Sequence, residues 1–451
     1  MDSQEQKNNY NRTLRILWII HDVLPIFKPY VKGKPTLGGS WITPLFYALK
    51  NQSNITLGSI TPVINGMEQK KVIDNITYYS IYIRKKENTS NMDKSLAEKY
   101  LSVINDFQPD IIHVHGTENN YGLLRKYVSE QIPIVCSIQG IIIPYYECLK
   151  NCDKSLGLSR YRTLKNKLGR GGINNMLYKW NKYCHIEKEI YKMNQYFIGR
   201  TCWDKEQLSK INPNSLYFHG EELLRPIFYN VHWNLNLSER HRIFVSSAQY
   251  PIKGFHLMLK AASILIKEYP NLKIVAPLLS MKIKSSRIKD WLIGEDYNNY
   301  LKSLIRKYKL EDNIIIKGRL SADEMAEEYR KAHIFVLPSL IENSPNSLGE
   351  SMMTGTPSVV SIMGGIPSIV KDNESALLFP SEDYNKLAIQ IKRIFSDDNL
   401  ALKLSKNAIN IALKRHDVKQ TSNQYYQVYE DIIRQHNESN RNIPRAEILG
   451  S

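Results

Sequence analysis

At 451 residues the chain is long for a single hydrophobic core and suits two domains. Its 42% hydrophobic and 23% charged residues are the balance of a globular protein, which excludes a fibrous or wholly disordered chain. The net charge of +17 (61 Lys and Arg against 44 Asp and Glu) favours an anionic partner, whether lipid headgroups, nucleic acid or a phosphorylated ligand.

The first strongly apolar run, "LRILWIIHDV" (14–23), is broken by Arg15, His21 and Asp22, so no signal peptide is expected, and it is too short for a membrane span. It predicts a buried strand, in a protein of the cytoplasm or of the inner face of its membrane. The five cysteines are few and odd in number, which suits a reducing compartment. Cys148 and Cys152 have no second pair, so zinc is not expected. A Pro- and Gly-bearing loop then leads through "LGGSW" (37–41) to an apolar helix, "WITPLFYALK".

Strands are predicted at "ITLGSI", "YYSIYI", "DIIHVHG" (110–116) and "IPIVCSIQG" (132–140), with helices at "LAEKYLSVINDF" and "YGLLRKYVSEQ". Alternating helices and continuous apolar strands predict a parallel, doubly wound sheet. Residues 145–195 interrupt the rhythm as a basic, mostly helical insertion. From Glu147 to Lys192 it holds eleven Lys and Arg against four Asp and Glu, interleaved with tyrosines, Leu177 and Trp180. Such a face, with exposed aromatics, suits an anionic bilayer. "QYFIGRT" restores a strand, and 223–242 reads as an interdomain linker.

The alternation restarts with "RIFVSSA" and runs through "HIFVLPS", "PSVVS" and "SALLFP" as a second doubly wound domain, closed by helices that include 421–436. Two such domains facing each other bind ligands between the C-terminal ends of their strands.

One stretch of this second half, "IENSPNSLGESMMTGTPSV" (341–359), brackets a helix start with two acids. Ser344 as N-cap and Pro345 at the first helical position predict the start, and Gly355 and Pro357 the end. Glu342 then lies on the loop beyond a strand, and Glu350 inside the helix, about 7–8 Å along its axis. The amides around Ser344, Asn346 and Ser347 would suit a phosphate. A carboxylate further along would accept two hydrogen bonds from a vicinal diol. Spacing alone equally describes a solvated polar face.

With its flanks, "VLPSLIENSPNSLGESMMTGTPSVVS", "GGIPSIV" and "SALLFP", the stretch resembles the signature of the retaining glycosyltransferases of family 4 (glycosyl transferases group 1). "SSAQYPIKGFHLMLKAA" resembles the donor-phosphate loop of these enzymes, and "GGSW" their glycine-rich loop. The resemblance covers most of the chain, more specifically in its second half. It implies a GT-B architecture of two Rossmann-like domains across a cleft. An acceptor-binding domain would span 1–230 and a donor domain 240–420, with 421–451 holding a helix that crosses back to the first domain and a polar tail.

The resemblance also implies roles. Glu350 would hold the ribose of a nucleotide-diphosphate sugar, Glu342 would lie beside the transferred sugar, and Lys253 would contact the diphosphate. Gly38 and Gly39 would let backbone amides approach the donor. An arginine of the family is replaced here by Ala248, and Arg200 or Arg225 would supply its charge. Gln139 stands where relatives carry a histidine. It can hydrogen-bond a sugar but cannot act as a base, which suits a front-face mechanism in which the departing phosphate takes the acceptor proton. His115 is a second candidate near the cleft, and Ser368 stands where relatives often carry a glutamate. The chain contains no Asp-x-Asp, so a metal-independent reaction with no cofactor is expected. The expected acceptor is a lipid-linked or surface-polysaccharide glycan, with 145–195 against an anionic membrane. A catalytically silent sugar-nucleotide-binding homologue is the alternative. A nucleotide-sugar epimerase lacks this context of paired glutamates, and no nucleic-acid motif accompanies the charge.

Overall fold

The computed structural model describes residues 13–25, 42–64, 67–84, 91–278, 281–283, 291–292 and 294–441. Among them are two sheets. The first has eight strands, β1 (Leu14–Ile19), β2 (Ile55–Val63), β3 (Gln69–Ile73), β4 (Ile76–Tyr82), β5 (Ile111–His115), β6 (Ile134–Ser137), β7 (Tyr196–Gly199) and β8 (Leu216–His219), in the order β3-β4-β2-β1-β5-β6-β7-β8. The second has six, β9 (Glu239–Phe244), β10 (Lys273–Pro277), β11 (Ile314–Lys317), β12 (Ala332–Leu337), β13 (Ser358–Ile362) and β14 (Leu377–Pro380), in the order β11-β10-β9-β12-β13-β14. All pairings are parallel except β3 with β4.

The helices in chain order are α1 (Ile42–Lys50), α2 (Lys94–Phe107), α3 (Ile142–Ser155), α4 (Leu164–Lys167), α5 (Gly172–Met193), α6 (Cys202–Ile211), α7 (Phe255–Leu265), α8 (Asp296–Tyr308), α9 (Ala322–Lys331), α10 (Asn346–Thr354), α11 (Tyr384–Ser396), α12 (Asp398–Arg415) and α13 (Val418–Arg441). None of these helices is long and apolar enough to cross a membrane.

Continuous burial of β5, β6 and β12, and of β1 from Ile16 onward, follows from helices covering both faces of each sheet. In each sheet the winding reverses next to the first strand: between β1 and β5, and between β9 and β12. Ligands of such sheets bind beyond the strand ends at these reversal points. The two doubly wound halves are those expected, and α13 does cross back. Its Tyr425, Tyr429 and Ile432 pack in the same cluster as Ile16, Trp18 and Ile198. The Tyr429 hydroxyl lies 2.7 Å from His113 Nδ1 and accepts from Trp18 Nε1 at 3.0 Å.

Local expectations shift in several places. β3 and β8 are edge strands with too little apolar patterning to be read from sequence. The helix expected at "YGLLRKYVSEQ" is a short 3₁₀ segment, Asn120–Lys126, held against α5, where a Cβ at Gly122 would lie 2.6 Å from Ile190. The expected linker 223–242 already contains the start of β9 at Glu239 and buries Trp233, whose indole donates to Ala332 O at 2.8 Å.

The largest difference concerns 145–195. Leu149, Cys152, Leu158 and Ile173 belong to the core of the second half, and Tyr145, Leu177 and Trp180 pack against it. Glu295 and Asp296 accept from the amides of Gly172 (2.6 Å) and Ile173 (2.9 Å), and Lys165 pairs with Glu295. Leu177 and Trp180 are therefore docked between the halves and are not exposed anchors. Tyr178 and Leu168 do face solvent, beside exposed Lys167, Arg170, Lys179 and Lys182. All five cysteines carry free thiols.

Candidate active-site cleft

Lys253 and Glu342 come from different loops at the reversal point of the second sheet. The loop after β9 turns at Gly254 with φ +69°, and a Cβ there would lie 1.7 Å from the Pro338 carbonyl oxygen. Only glycine lets this loop touch the one following β12. Leu340 N donates to Ile252 O at 2.7 Å and fastens the two loops together. The result is an ion pair, Lys253 Nζ to Glu342 Oε1 at 2.5 Å, with Ser339 Oγ donating to the same oxygen at 2.8 Å. Burial disfavours the Lys253 charge, but the Glu342 carboxylate outweighs it and holds the ammonium pKa above its ordinary value.

Helix α10 starts one residue later than Ser344 would set it. Pro345 is its N-cap residue and offers no side-chain bond, so Ser344 does not cap. Leu348 and Gly349 donate back to Pro345 O, which leaves the Asn346 and Ser347 amides facing outward at the helix start. Glu350 sits one turn in, buried, and accepts on Oε1 from Arg225 Nε (3.0 Å) and Nη2 (2.7 Å). Burial pushes its pKa up to about 7, with Arg225 opposing.

The other expected arginine is held differently. Arg200 forms an ion pair with Glu222 and donates to the carbonyls of Gln139 (2.9 Å) and Ile138 (3.3 Å). Its side chain is 6% exposed, against 22% for Arg225. Burial raises Glu222 to about 7, with Arg200 opposing, and the Asn346 side chain bonds Glu222 at the start of α10. Ala248 is fully buried in the core, so no side chain from that position reaches the cleft.

Asn343, which the sequence reading missed, ties the halves together beside Glu342. Its Oδ1 accepts from Thr201 Oγ1 at 2.7 Å, and its Nδ2 donates to Gln139 O and Asp204 Oδ2, both at 3.1 Å. Its amide donates to the Tyr145 hydroxyl at 3.0 Å. Ser368 Oγ accepts from Cys202 N at 3.2 Å, so this residue also serves the contact between halves. Among the partners that were missed, Thr201 and Asp204 carry a sequence signal: they form the capping box of α6.

The structure thus brings Lys253, Glu342, Asn346, Ser347, Glu350, Arg225, Arg200 and Gln139 to one cleft. His115 ends β5 but is packed between the Trp18 and His113 rings, at centroid distances of 4.0 and 3.8 Å. Burial, followed by His113 and His21, keeps its imidazole well below its ordinary pKa and therefore neutral. Gly38 and Gly39 lie outside the described residues.

Comparison with known proteins agrees with this architecture. The family model described as glycosyl transferases group 1 matches residues 230–411, and the one described as glycosyl transferase 4-like matches 46–154. Together these matches support a group 1 glycosyltransferase of the GT-B fold. It is 28% identical over 164 residues to a D-inositol 3-phosphate glycosyltransferase of Streptomyces bingchenggensis, covering 36% of this chain and 34% of that one. It is 27% identical over 154 residues to a mannosylfructose-phosphate synthase of Agrobacterium fabrum, covering 34% and 32%. The chain thus spans about a third of the length of these curated relatives. In fold it is similar to sucrose-phosphate synthase of Thermosynechococcus elongatus (TM-score 0.67, 16% identity, 94% of this chain and 100% of that). It is also similar to Anabaena HepE in complex with UDP-glucose (TM-score 0.60, 13% identity, 94% and 100%).

Proposed function

We propose that this chain is a retaining glycosyltransferase that moves a sugar from a nucleoside diphosphate sugar to a hydroxyl acceptor, with no bound metal. The carrying observation is the pair of ion pairs, Lys253–Glu342 and Arg225–Glu350, flanking the uncapped start of α10. Departure of the nucleotide builds negative charge on its terminal phosphate. The Lys253 ammonium and the Asn346 and Ser347 amides are preset to meet that charge, which lowers the barrier without reorganisation. Arg225, the more exposed of the two candidate arginines, supplies the charge that Ala248 does not.

Both Arg225 bonds fall on Glu350 Oε1, so Oε2 lies outside that pair and can accept from a ribose hydroxyl. Glu342 accepts from the transferred sugar. Gln139 has no titratable group and His115 is buried, so the acceptor proton passes to the departing phosphate oxygen as the new bond forms on the same face. Because HepE has been solved with UDP-glucose, that is the first donor to try. We assign the acceptor to surface or lipid-linked glycans at the inner face of the cytoplasmic membrane. Tyr178, Leu168 and their neighbouring cations would contact an anionic bilayer, and sedimentation with anionic and neutral vesicles distinguishes that role from a merely solvated face.

The test is a thermal-shift screen with UDP-, GDP- and ADP-glucose, followed by nucleotide release and NMR of the anomeric configuration of the product. Stabilisation by one donor, with release and a retained anomer, is expected. Binding without release across a broad acceptor panel establishes the silent homologue instead. An inverted product overturns the mechanism.

A further inference from the structure

We propose that a polar cradle on the first-sheet side of the cleft receives the acceptor, and that Glu118 sets its class: a neutral or amine-bearing sugar, with a phosphorylated one rejected. This rests on the glycosyltransferase reading for its location but on its own residues for its chemistry. The chain leaves β5 at Gly116 with φ +95°, and a Cβ there would lie 2.4 Å from Glu118 Oε2 and 3.2 Å from Gln139 Oε1. The two side chains therefore converge on Gly116, in space that the Cβ of any other residue would contest. Gly140 forms the opposite wall, where a Cβ would lie 3.4 Å from Glu118 Oε1 and 3.7 Å from the Tyr145 ring.

Glu118 Oε1 is fixed by the Gly140 amide at 3.0 Å. Its Oε2, together with Gln139 Nε2 and His115 Nε2, is buried with no hydrogen-bond partner among the described residues. A carboxylate oxygen only accepts and an amide NH₂ only donates. A sugar hydroxyl does both, so one hydroxyl can bridge Glu118 Oε2 and Gln139 Nε2. An ammonium satisfies the carboxylate more strongly.

A phosphate brings negative charge against a carboxylate that has no cation within ion-pair distance among the described residues, and two like charges in a shielded cleft repel. The cradle joins the donor side directly. The Gln139 carbonyl and the Tyr145 hydroxyl both bond Asn343, the neighbour of Glu342.

Saturation-transfer NMR on the full chain with UDP, using methyl glucoside, glucosamine and glucose 6-phosphate as probes, tests this. The wild type is expected to saturate the first two and not the third. Glu118→Gln keeps an oxygen for the Gly140 amide. It should melt within about 2 °C of wild type, since one charged acceptor is exchanged for a neutral one in an intact contact. It should lose the glucosamine preference, admit glucose 6-phosphate and leave UDP affinity unchanged. The proposal is overturned if wild type binds glucose 6-phosphate as well as the others, if it binds none of the three, or if Glu118→Gln leaves the profile unaltered. Sugar binding in the expected pattern without any UDP binding would sink the donor reading while the cradle stands.

Discussion

The two sides of the cleft differ in how their charges are matched. Around the start of α10 each acid has its base: Glu342 with Lys253, Glu350 with Arg225, and Glu222 with Arg200. Across from them, Glu118, Gln139 and His115 keep buried polar atoms without partners. A donor site must recognise an invariant diphosphate and still fold when empty, and paired charges meet both demands. An acceptor site is completed by its ligand, so its polar groups are left open and its selectivity resides in them. Substitutions on the first side should therefore cost stability as well as turnover, whereas those on the second should change selectivity at little cost in stability.

Lys253→Ala gives the largest expected effect. Removing the group that meets the leaving charge should lower kcat by about 10²–10³-fold. It also strands Glu342, which is 5% exposed, and breaking a buried pair costs about 3–5 kcal/mol. Lys253→Met combined with Glu342→Gln removes both charges. It should recover most of the melting temperature and none of the activity, and recovery of activity would show that Lys253 is only structural.

Glu350→Gln comes next, with donor KM up about tenfold, or about 1.4 kcal/mol, and kcat changed less. Glu342→Gln should show the opposite split, a lower kcat at nearly constant donor KM. Steady-state kinetics with UDP-glucose measures both.

The acid between pH 4.5 and 7 tests the same assignment. Burial raises Glu350 from its ordinary 4.5 to about 7. The folded state therefore binds this proton more readily than the unfolded one, and the associated stability is full below pH 4.5 and lost as pH rises towards 7. Ribose recognition needs the carboxylate, so donor affinity should move the other way and weaken as pH falls below about 7. Donor KM against pH should flatten in Glu350→Gln, and an unchanged profile would remove Glu350 from the ribose.

These contrasts also mark what was readable in the chain. The spacing of Glu342 and Glu350 around a helix start, and the Lys253-Gly254 turn, are local patterns, and local patterns survive in one dimension. Ser344 was misplaced by one residue because Ser-Pro favours a cap that the Pro345 backbone overrides. Asn343 with Thr201, 142 residues apart, and Arg200 with Glu222, just beyond the neighbouring strands β7 and β8, leave no periodic trace. Residues 145–195 read as an outward face because amphipathicity shows that a helix has an apolar side, not what covers it. Here the second domain covers Leu177 and Trp180.

Tyr145→Phe has the smallest expected effect and sharpens the comparison most. The Tyr145 hydroxyl accepts the Asn343 amide and stands at the seam between the two sides, and its ring forms part of the acceptor cradle. If it only positions Asn343, its loss removes one neutral hydrogen bond. Stability should then fall by about 1 kcal/mol, and kcat/KM two- to fivefold, shared between donor and acceptor because both loops shift. A loss above about 10²-fold in kcat, with KM unchanged, would mean that the hydroxyl stabilises the transition state itself. The seam would then belong to the chemistry, and the division of the cleft into a charge-matched donor side and an open acceptor side would have to be redrawn through Tyr145.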